Sequence, residues 1–358
     1  MSEPTALWAV PVSDLGGVAR HVLDATKAGV PGWRIVVLCP PGPLAQALMA
    51  DSRPVVTGRF GPAHGLAPSV ETLRHAQWVL QPRVVHSHLS YADVVAALCK
   101  PLRGTALVST EHGIALDDLV YHRTRARARM KAAVHTARLR RFDAMIAVSE
   151  ATRRAVVSKW RPRVPIHVIH NGVDRAGHRA EGRGSDGSAL DGPRVASLSR
   201  LAPEKRIEHL IDAFAHVHGR RPQATLEIAG EGPLGRELRR RAAAAGIARA
   251  VRFHGHVEPR AFLDGVDVLA QLSVWENLSY SLLDALVAGV GVVASPVGGN
   301  VELLPARCLV DAADPVAVAR ALELQAVDTG QRPALPDGWP TVSGMTGRIA
   351  DAYDGVAG

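Results

Sequence analysis

Short apolar, β-branched runs alternate with amphipathic segments twice along this chain, and a stretch that supports neither pattern separates the two blocks. The first block holds LWAVPV, RIVVLC, RVVHSH, ALVST, AMIAVS and IHVIH. The second holds RVASLS, ATLEIAG, VRFHGHV, VDVLAQLS, GVVAS and CLV. Near-continuous apolar strands joined by helical patterns predict parallel sheets covered on both faces. Helices are expected where Val18, Val22 and Leu23 share a face, over Tyr91 to Cys99, and over Glu150 to Trp160. In the second block they are expected where Ile207, Leu210, Ile211, Phe214 and Val217 share a face, and over Leu234 to Ala245. A last helix is expected over Met345 to Val356. Between Gly172 and Pro193 the sequence GVDRAGHRAEGRGSDGSALDGP loses all apolar period, which marks a boundary. The expected organisation is a domain over 1–172, a linker or mobile loop over 173–193, a second domain over 194–343, and a closing helix over 344–358 that packs back on the first domain.

A chain of 358 residues that is 47% hydrophobic has material for two cores. No run approaches the roughly 20 apolar residues of a membrane-spanning helix. The N-terminus lacks a basic start and a cleavage site, so no signal peptide is expected. Cys39, Cys99 and Cys308 show no paired spacing, which suits reduced thiols in a cytoplasmic protein. The net charge of +8 favours anionic partners without choosing among them. Basic residues concentrate from Tyr121 to Arg141, with no acid between Asp118 and Asp143. Arg123, Arg125, Arg127 and Arg129 fan round a helix rather than forming a stripe, so a solvated helix face is the plainer reading. Peripheral contact with acidic lipid or an anionic acceptor is the sharper one.

The chemistry concentrates in LSVWENLSYSLLDALVAGVGVVASPVGGN. A helix from about Leu278 to Ala288 is expected, with Leu278, Leu282, Leu283, Leu286 and Val287 on its apolar face. Glu276 stands at its entrance and Asp284 eight positions on, roughly 12 Å along a helix. Carboxylates that share one glycosidic bond sit about 5 to 9.5 Å apart. The two acids are thus better placed to hold two parts of a long ligand, with phosphate at the helix N-terminus between them. Arg200 and Lys205, flanking the strand-to-helix turn of SLSRLAPEKRIEHLIDAF, supply the cations that a diphosphate leaving group needs. A nucleotide-diphosphate sugar fits this layout. Asp117 and Asp118 lack the surrounding ligands of a metal site, and none is expected.

With these motifs in order, from LGGVARHV through VVHSHL, STEHG, FDAMIAVSEATRRAVV, IHVIHNGVD and LEIAGEGP to GGNVELL, the chain resembles glycosyltransferase family 4. The resemblance implies the retaining GT-B architecture, an α/β fold of two Rossmann-like parallel-sheet domains facing each other across a cleft. It implies that Gly16 and Gly17 form a close-approach turn against the donor diphosphate, and that His112 touches the donor sugar. Arg200 and Lys205 would bind the diphosphate, Glu276 the hydroxyls of the transferred sugar and Asp284 the ribose. The backbone of Asn277, Leu278 and Ser279 would line sugar and phosphate. Glu231, Gly232 and Val257 would lie near base and ribose. No cofactor is implied; the donor is a UDP- or GDP-sugar, UDP first.

Two departures stand out. Position 284 is Asp where the family usually has Glu, and NLS replaces the usual Gly-Phe-Gly-like stretch after the first acid. Each residue also has a plainer reading: Glu276 and Asp284 as helix acids, His112 as a structural histidine, Gly16 and Gly17 as a tight turn. His86 and His88 lie at a strand end, where alternation is expected to turn them to different faces, against a metal pair; one lining the acceptor side is the functional reading. Asn171 is a turn residue or a cleft contact. The expected activity is retaining, metal-independent glycosyl transfer to a hydroxyl, with a small polar natural-product or aminocyclitol precursor as the expected acceptor. The rivals are a nucleotide-sugar epimerase or hydrolase on the same fold, a transferase acting on a membrane lipid, and a donor-binding protein without chemistry. A nucleic-acid binder is the weakest class.

Overall fold

The computed structural model describes residues 3–99, 104–114, 133–175 and 192–357. The chain divides into two compact units, Met1–Asp174 with Pro340–Gly358, and Arg175–Trp339. Each is built on one parallel sheet.

The first unit carries β1 (Thr5–Ala9), β2 (Arg34–Cys39), β3 (Val55–Thr57), β4 (Val84–His88), β5 (Ala106–Glu111), β6 (Ala144–Ala147) and β7 (Ile166–Val168), in the order β3-β2-β1-β4-β5-β6-β7. Alternate strand residues feed two cores, because side chains point to opposite faces of a pleated sheet. Trp8, Val37 and Val108 meet helices Gly17–Ala28 and Pro43–Ala50 and the C-terminal helix Val342–Ala357. Leu7, Leu38, Val85 and Met145 meet helices Leu66–Leu80, Leu89–Leu98 and Glu150–Trp160. The C-terminal helix is tied in by Trp33 Nε1, which donates to Asp354 Oδ1 at 3.0 Å, and by Tyr353, whose ring is fully buried.

The second unit carries β8 (Arg194–Leu198), β9 (Thr225–Ala229), β10 (Val251–Gly255), β11 (Val268–Gln271) and β12 (Gly291–Ala294), in the order β10-β9-β8-β11-β12. Its main core sets Val195, Leu226, Ile228, Val268 and Val293 against helices Ile207–Arg220, Gly235–Ala244 and Pro315–Val327. Helix Tyr280–Val287 contacts β11 and β12. In both sheets the strand order reverses beside the first strand, at β1/β4 and at β8/β11. Ligands of open parallel sheets bind beyond the carboxyl ends of the strands at such reversals.

Several expectations need correction. LWAVPV forms a strand only to Ala9, because Pro11 has no N–H to continue the ladder. CLV is not a strand: Cys308 ends a 3-10 turn, and only Leu309 bridges to Ala294. The last helix starts at Val342, where Thr341 Oγ1 accepts the Gly344 N–H and Asp174 accepts the Val342 N–H. Of the basic stretch Tyr121 to Arg141, 121–132 lies outside the described residues. Arg138 does not meet solvent: it is buried and donates to Asp93 Oδ2 through Nε at 3.0 Å and Nη2 at 2.8 Å. Most of the expected linker, 176–191, is also outside the described residues.

Candidate active site

The turn after β8 and the turn after β11 bring together the two strongest candidates. Lys205 lies in a 3-10 turn, Pro203–Lys205, and its Nζ pairs with Glu276 Oε1. Ser273 Oγ donates to the same oxygen at 2.7 Å, so one carboxylate oxygen holds two donors. The turns are tied by their backbones as well, since Val274 N–H donates to Glu204 O at 2.8 Å. Arg200 leaves the end of β8 with an exposed side chain, 72% accessible, and pairs with Glu204 at 2.5 Å. Two cations, each paired with its own acid, thus stand at the β8/β11 reversal.

Glu276 precedes helix Tyr280–Val287 by four residues, so it does not share a helix with Asp284 and the 12 Å helical spacing does not apply. Its loop is held from below. Gly298, at φ +53°, passes so close that a Cβ there would stand 1.5 Å from the Glu276 carbonyl oxygen, and Gly299 N–H donates to Asn277 O at 3.0 Å. Asn277, Leu278 and Ser279 are buried, and Gln271 Nε2 donates to Ser279 Oγ at 2.7 Å. Asp284 is buried within the helix. Glu231 and Gly232 are exposed after β9, and Val257 is half-buried after β10. Gly230, at φ +124°, runs against the Ser199 carbonyl, which brings the β8 and β9 ends into contact.

In the first unit, the β1/β4 reversal gathers histidines. His86, His88 and His112 are joined by His21, on helix Gly17–Ala28, around the Trp8 ring. The expectation that His86 and His88 face opposite ways is wrong: residues two apart on a strand share a face. Their ring centres are 4.3 Å apart. His86 is fully buried with both ring nitrogens in use, Nδ1 with Tyr353 Oη at 2.5 Å and Nε2 with Thr110 Oγ1 at 2.6 Å. His88 Nδ1 lies 2.9 Å from His112 Nε2, and His21 Nδ1 lies 3.3 Å from Asn171 Oδ1. Burial lowers the His21 pKa to about 4, and burial with neighbouring imidazoles holds His86, His88 and His112 well below the ordinary value. Beside His112, Glu111 Oε1 accepts the Gly113 N–H at 3.1 Å. Burial pushes its carboxyl up to about 7, against the pull of Arg138 and with a further push from Asp93. Gly16 caps helix Gly17–Ala28 with open space in front of its Cα, and Gly17 begins that helix.

Residues 15–176 match the family described as Glycosyltransferase Family 4, and residues 192–325 match Glycosyl transferases group 1. The chain belongs to glycosyltransferase family 4. It is 27% identical over 325 residues to glycogen synthase of Mycobacterium tuberculosis, covering 82% of this chain and 77% of that protein. It is 30% identical over 285 residues to D-inositol 3-phosphate glycosyltransferase of Salinispora tropica, covering 71% of this chain and 59% of that protein. Among solved structures, HepE of Anabaena in complex with UDP-glucose superposes with a TM-score of 0.77 at 22% identity, covering 98% and 95% of the two chains. The fold of this glycosyltransferase is therefore GT-B, with a Rossmann-like sheet in each unit.

Within the family 4 chain, three further residues stand beside the candidate ones and carry little signal in the sequence. His21 lies on the apolar face of a helix, where a histidine looks like packing. Ser273 sits three residues before Glu276, the only local signal of its bond. Glu111 stands beside His112 and sets the turn that follows it.

Proposed function

We propose that this glycosyltransferase is a retaining, metal-independent enzyme that moves a hexose from a UDP-sugar to a hydroxyl of a small polar acceptor of the cyclitol class. The observation that carries the reading is the Lys205–Glu276 pair beside Arg200 at the β8/β11 reversal. Two cations at one site suit a diphosphate, and an acid held between Lys205 and Ser273 suits sugar hydroxyls. A donor phosphate would draw Lys205 from Glu276 and free that carboxylate for the sugar. Transfer then breaks the bond from the anomeric carbon to the phosphate oxygen and forms the bond to the acceptor oxygen on the same face. The acceptor proton goes to the departing phosphate, so the protein supplies charge and position rather than a dedicated base. His112 is assigned to the donor sugar and Asp284 to the ribose. UDP is favoured because HepE, of the same fold, binds UDP-glucose, and a cyclitol because a relative acts on D-inositol 3-phosphate. A cytoplasmic setting suits both substrates.

The test is a thermal-shift panel of UDP-, GDP- and dTDP-glucose, followed by turnover with and without inositol acceptors. The expected result is a shift with UDP-glucose that Lys205→Ala removes, acceptor-dependent release of UDP, and an α-linked product by NMR. Release of UDP at full rate without acceptor would instead show a hydrolase.

A further inference from the structure

Three of the four clustered histidines have a geometry that sugar binding alone does not call for. His21 comes from the second turn of helix Gly17–Ala28, His88 ends β4, and His112 follows β5. Their ligand-capable atoms all lie within 4.8 Å of one another. Ring centres are 4.8 Å apart for His21 and His112, 5.2 Å for His88 and His112, and 5.7 Å for His21 and His88. Three imidazoles on one tetrahedral ion, with metal–nitrogen bonds of about 2.0–2.1 Å, place their ring centres roughly 5 Å apart. We propose that His21, His88 and His112 form a binding site for one borderline-soft divalent transition ion of the Zn2+ or Co2+ class, and that the bound ion blocks the donor sugar.

The donor set decides the class of ion. Neutral imidazoles without a carboxylate suit zinc, cobalt, nickel and copper rather than magnesium or calcium, which want oxygen. Glu111, the acid next to His112, is engaged with the Gly113 N–H and lies 3.6 Å from Arg138. His86 is not a ligand, because Tyr353 and Thr110 hold both its nitrogens. Asn171 completes the arrangement: accepting the proton of His21 Nδ1 leaves the lone pair on Nε2, the usual outer support of a metal-bound histidine.

Loading replaces the 2.9 Å bond between His88 Nδ1 and His112 Nε2 with two bonds to the ion, after a modest turn of both rings. The proton in that bond moves to the other nitrogen of whichever ring donated it. For His88 this is Nε2, a buried atom with no hydrogen-bond partner among the described residues. Three neutral rings remain neutral, so no proton is released. His112 is half-buried while the other two are fully buried, so the ion reaches the site on the His112 side and keeps water in its fourth position. The inhibitory half of the proposal rests on the assignment of His112 to the donor sugar; the binding half does not.

The experiment titrates the full-length protein with Co2+ and follows visible absorption. Strong bands of low-coordinate cobalt, saturating at one equivalent and displaced by Zn2+ but not by Mg2+, are expected. His21→Phe, which keeps a ring against Trp8, should weaken cobalt binding at least about a hundredfold, the upper end of what losing a supporting partner costs. If that variant melts early, His21→Gln serves instead. Zn2+ should raise the apparent KM for UDP-glucose in the wild type and leave it unchanged in the variant. Weak octahedral bands, saturation away from one equivalent, or equal affinity in the variants would overturn the site. Cobalt binding without a UDP-glucose thermal shift would leave the site standing and remove the donor reading; the reverse result would remove the site alone.

Discussion

Glu276 and Lys205 answer to each other before any donor arrives, and this sets what single substitutions do. Glu276→Gln keeps the shape of the side chain but loses the charge opposite Lys205. Turnover should fall at least about a hundredfold, as when one preorganised electrostatic partner is removed, with the melting temperature nearly unchanged. Steady-state rates beside a thermal melt check this, and wild-type turnover would contradict it. Gly298→Ala should cost stability and activity together. At φ +53° and against the Glu276 carbonyl, a methyl group must push the loop aside, at about 1–3 kcal/mol for the backbone strain alone. Burial also fixes the response to acid. His21, His86, His88 and His112 have folded pKa values below 6.5, so the stability they contribute is present above 6.5 and lost as pH falls through their folded values. Glu111 has the opposite sign: raised from 4.5 to about 7, its contribution is present below 4.5 and lost as pH rises toward 7. Four groups outweigh one, so the melting temperature should fall as pH drops from 6.5. It should fall more steeply in Glu111→Gln; a flat profile or a shallower fall would contradict this.

Among the elements, those that announce themselves in sequence are the ones whose apolar residues face one way. RIVVLC is a strand over Arg34–Cys39 and Glu150–Trp160 a helix, both with the expected ends. Helix Leu66–Leu80 escapes because its pattern is scrambled: Trp78 and Val79 are exposed while Ser69 and Gln77 are buried. β3 is three residues long at a sheet edge, too short to show alternation. Helix Pro315–Val327 was not expected from the sequence either; Asp314 caps it, its carboxylate accepting the Val316 and Ala317 N–H groups. Arg200, Lys205 and Glu276 were legible as candidates because they sit in strand-to-helix turns. The histidine cluster was not, since no spacing links positions 21, 88 and 112. The C-terminal helix carries its own prediction. Tyr353→Phe removes the partner of His86 Nδ1 and leaves a buried nitrogen unsatisfied, at about 1–3 kcal/mol, measurable by chemical denaturation of the intact chain. An unchanged midpoint would show that the bond contributes nothing net.

For the whole molecule, two parallel sheets each reverse their strand order once, and a cluster of ionisable groups stands at each reversal. The second sets two cations, Arg200 and Lys205, in neighbouring ion pairs with Glu204 and Glu276, which is the basis for reading a diphosphate there. The first gathers neutral imidazoles, which suits hydroxyls or a transition ion but not a phosphate. The charged groups of the second reversal make the central claim open to direct inspection. A crystal structure of the wild-type chain with UDP-glucose should show the diphosphate within hydrogen-bonding distance of Lys205 and Arg200, with Glu276 turned to the glucose hydroxyls. Phosphates bound elsewhere, with the Lys205–Glu276 pair still closed, would contradict the account.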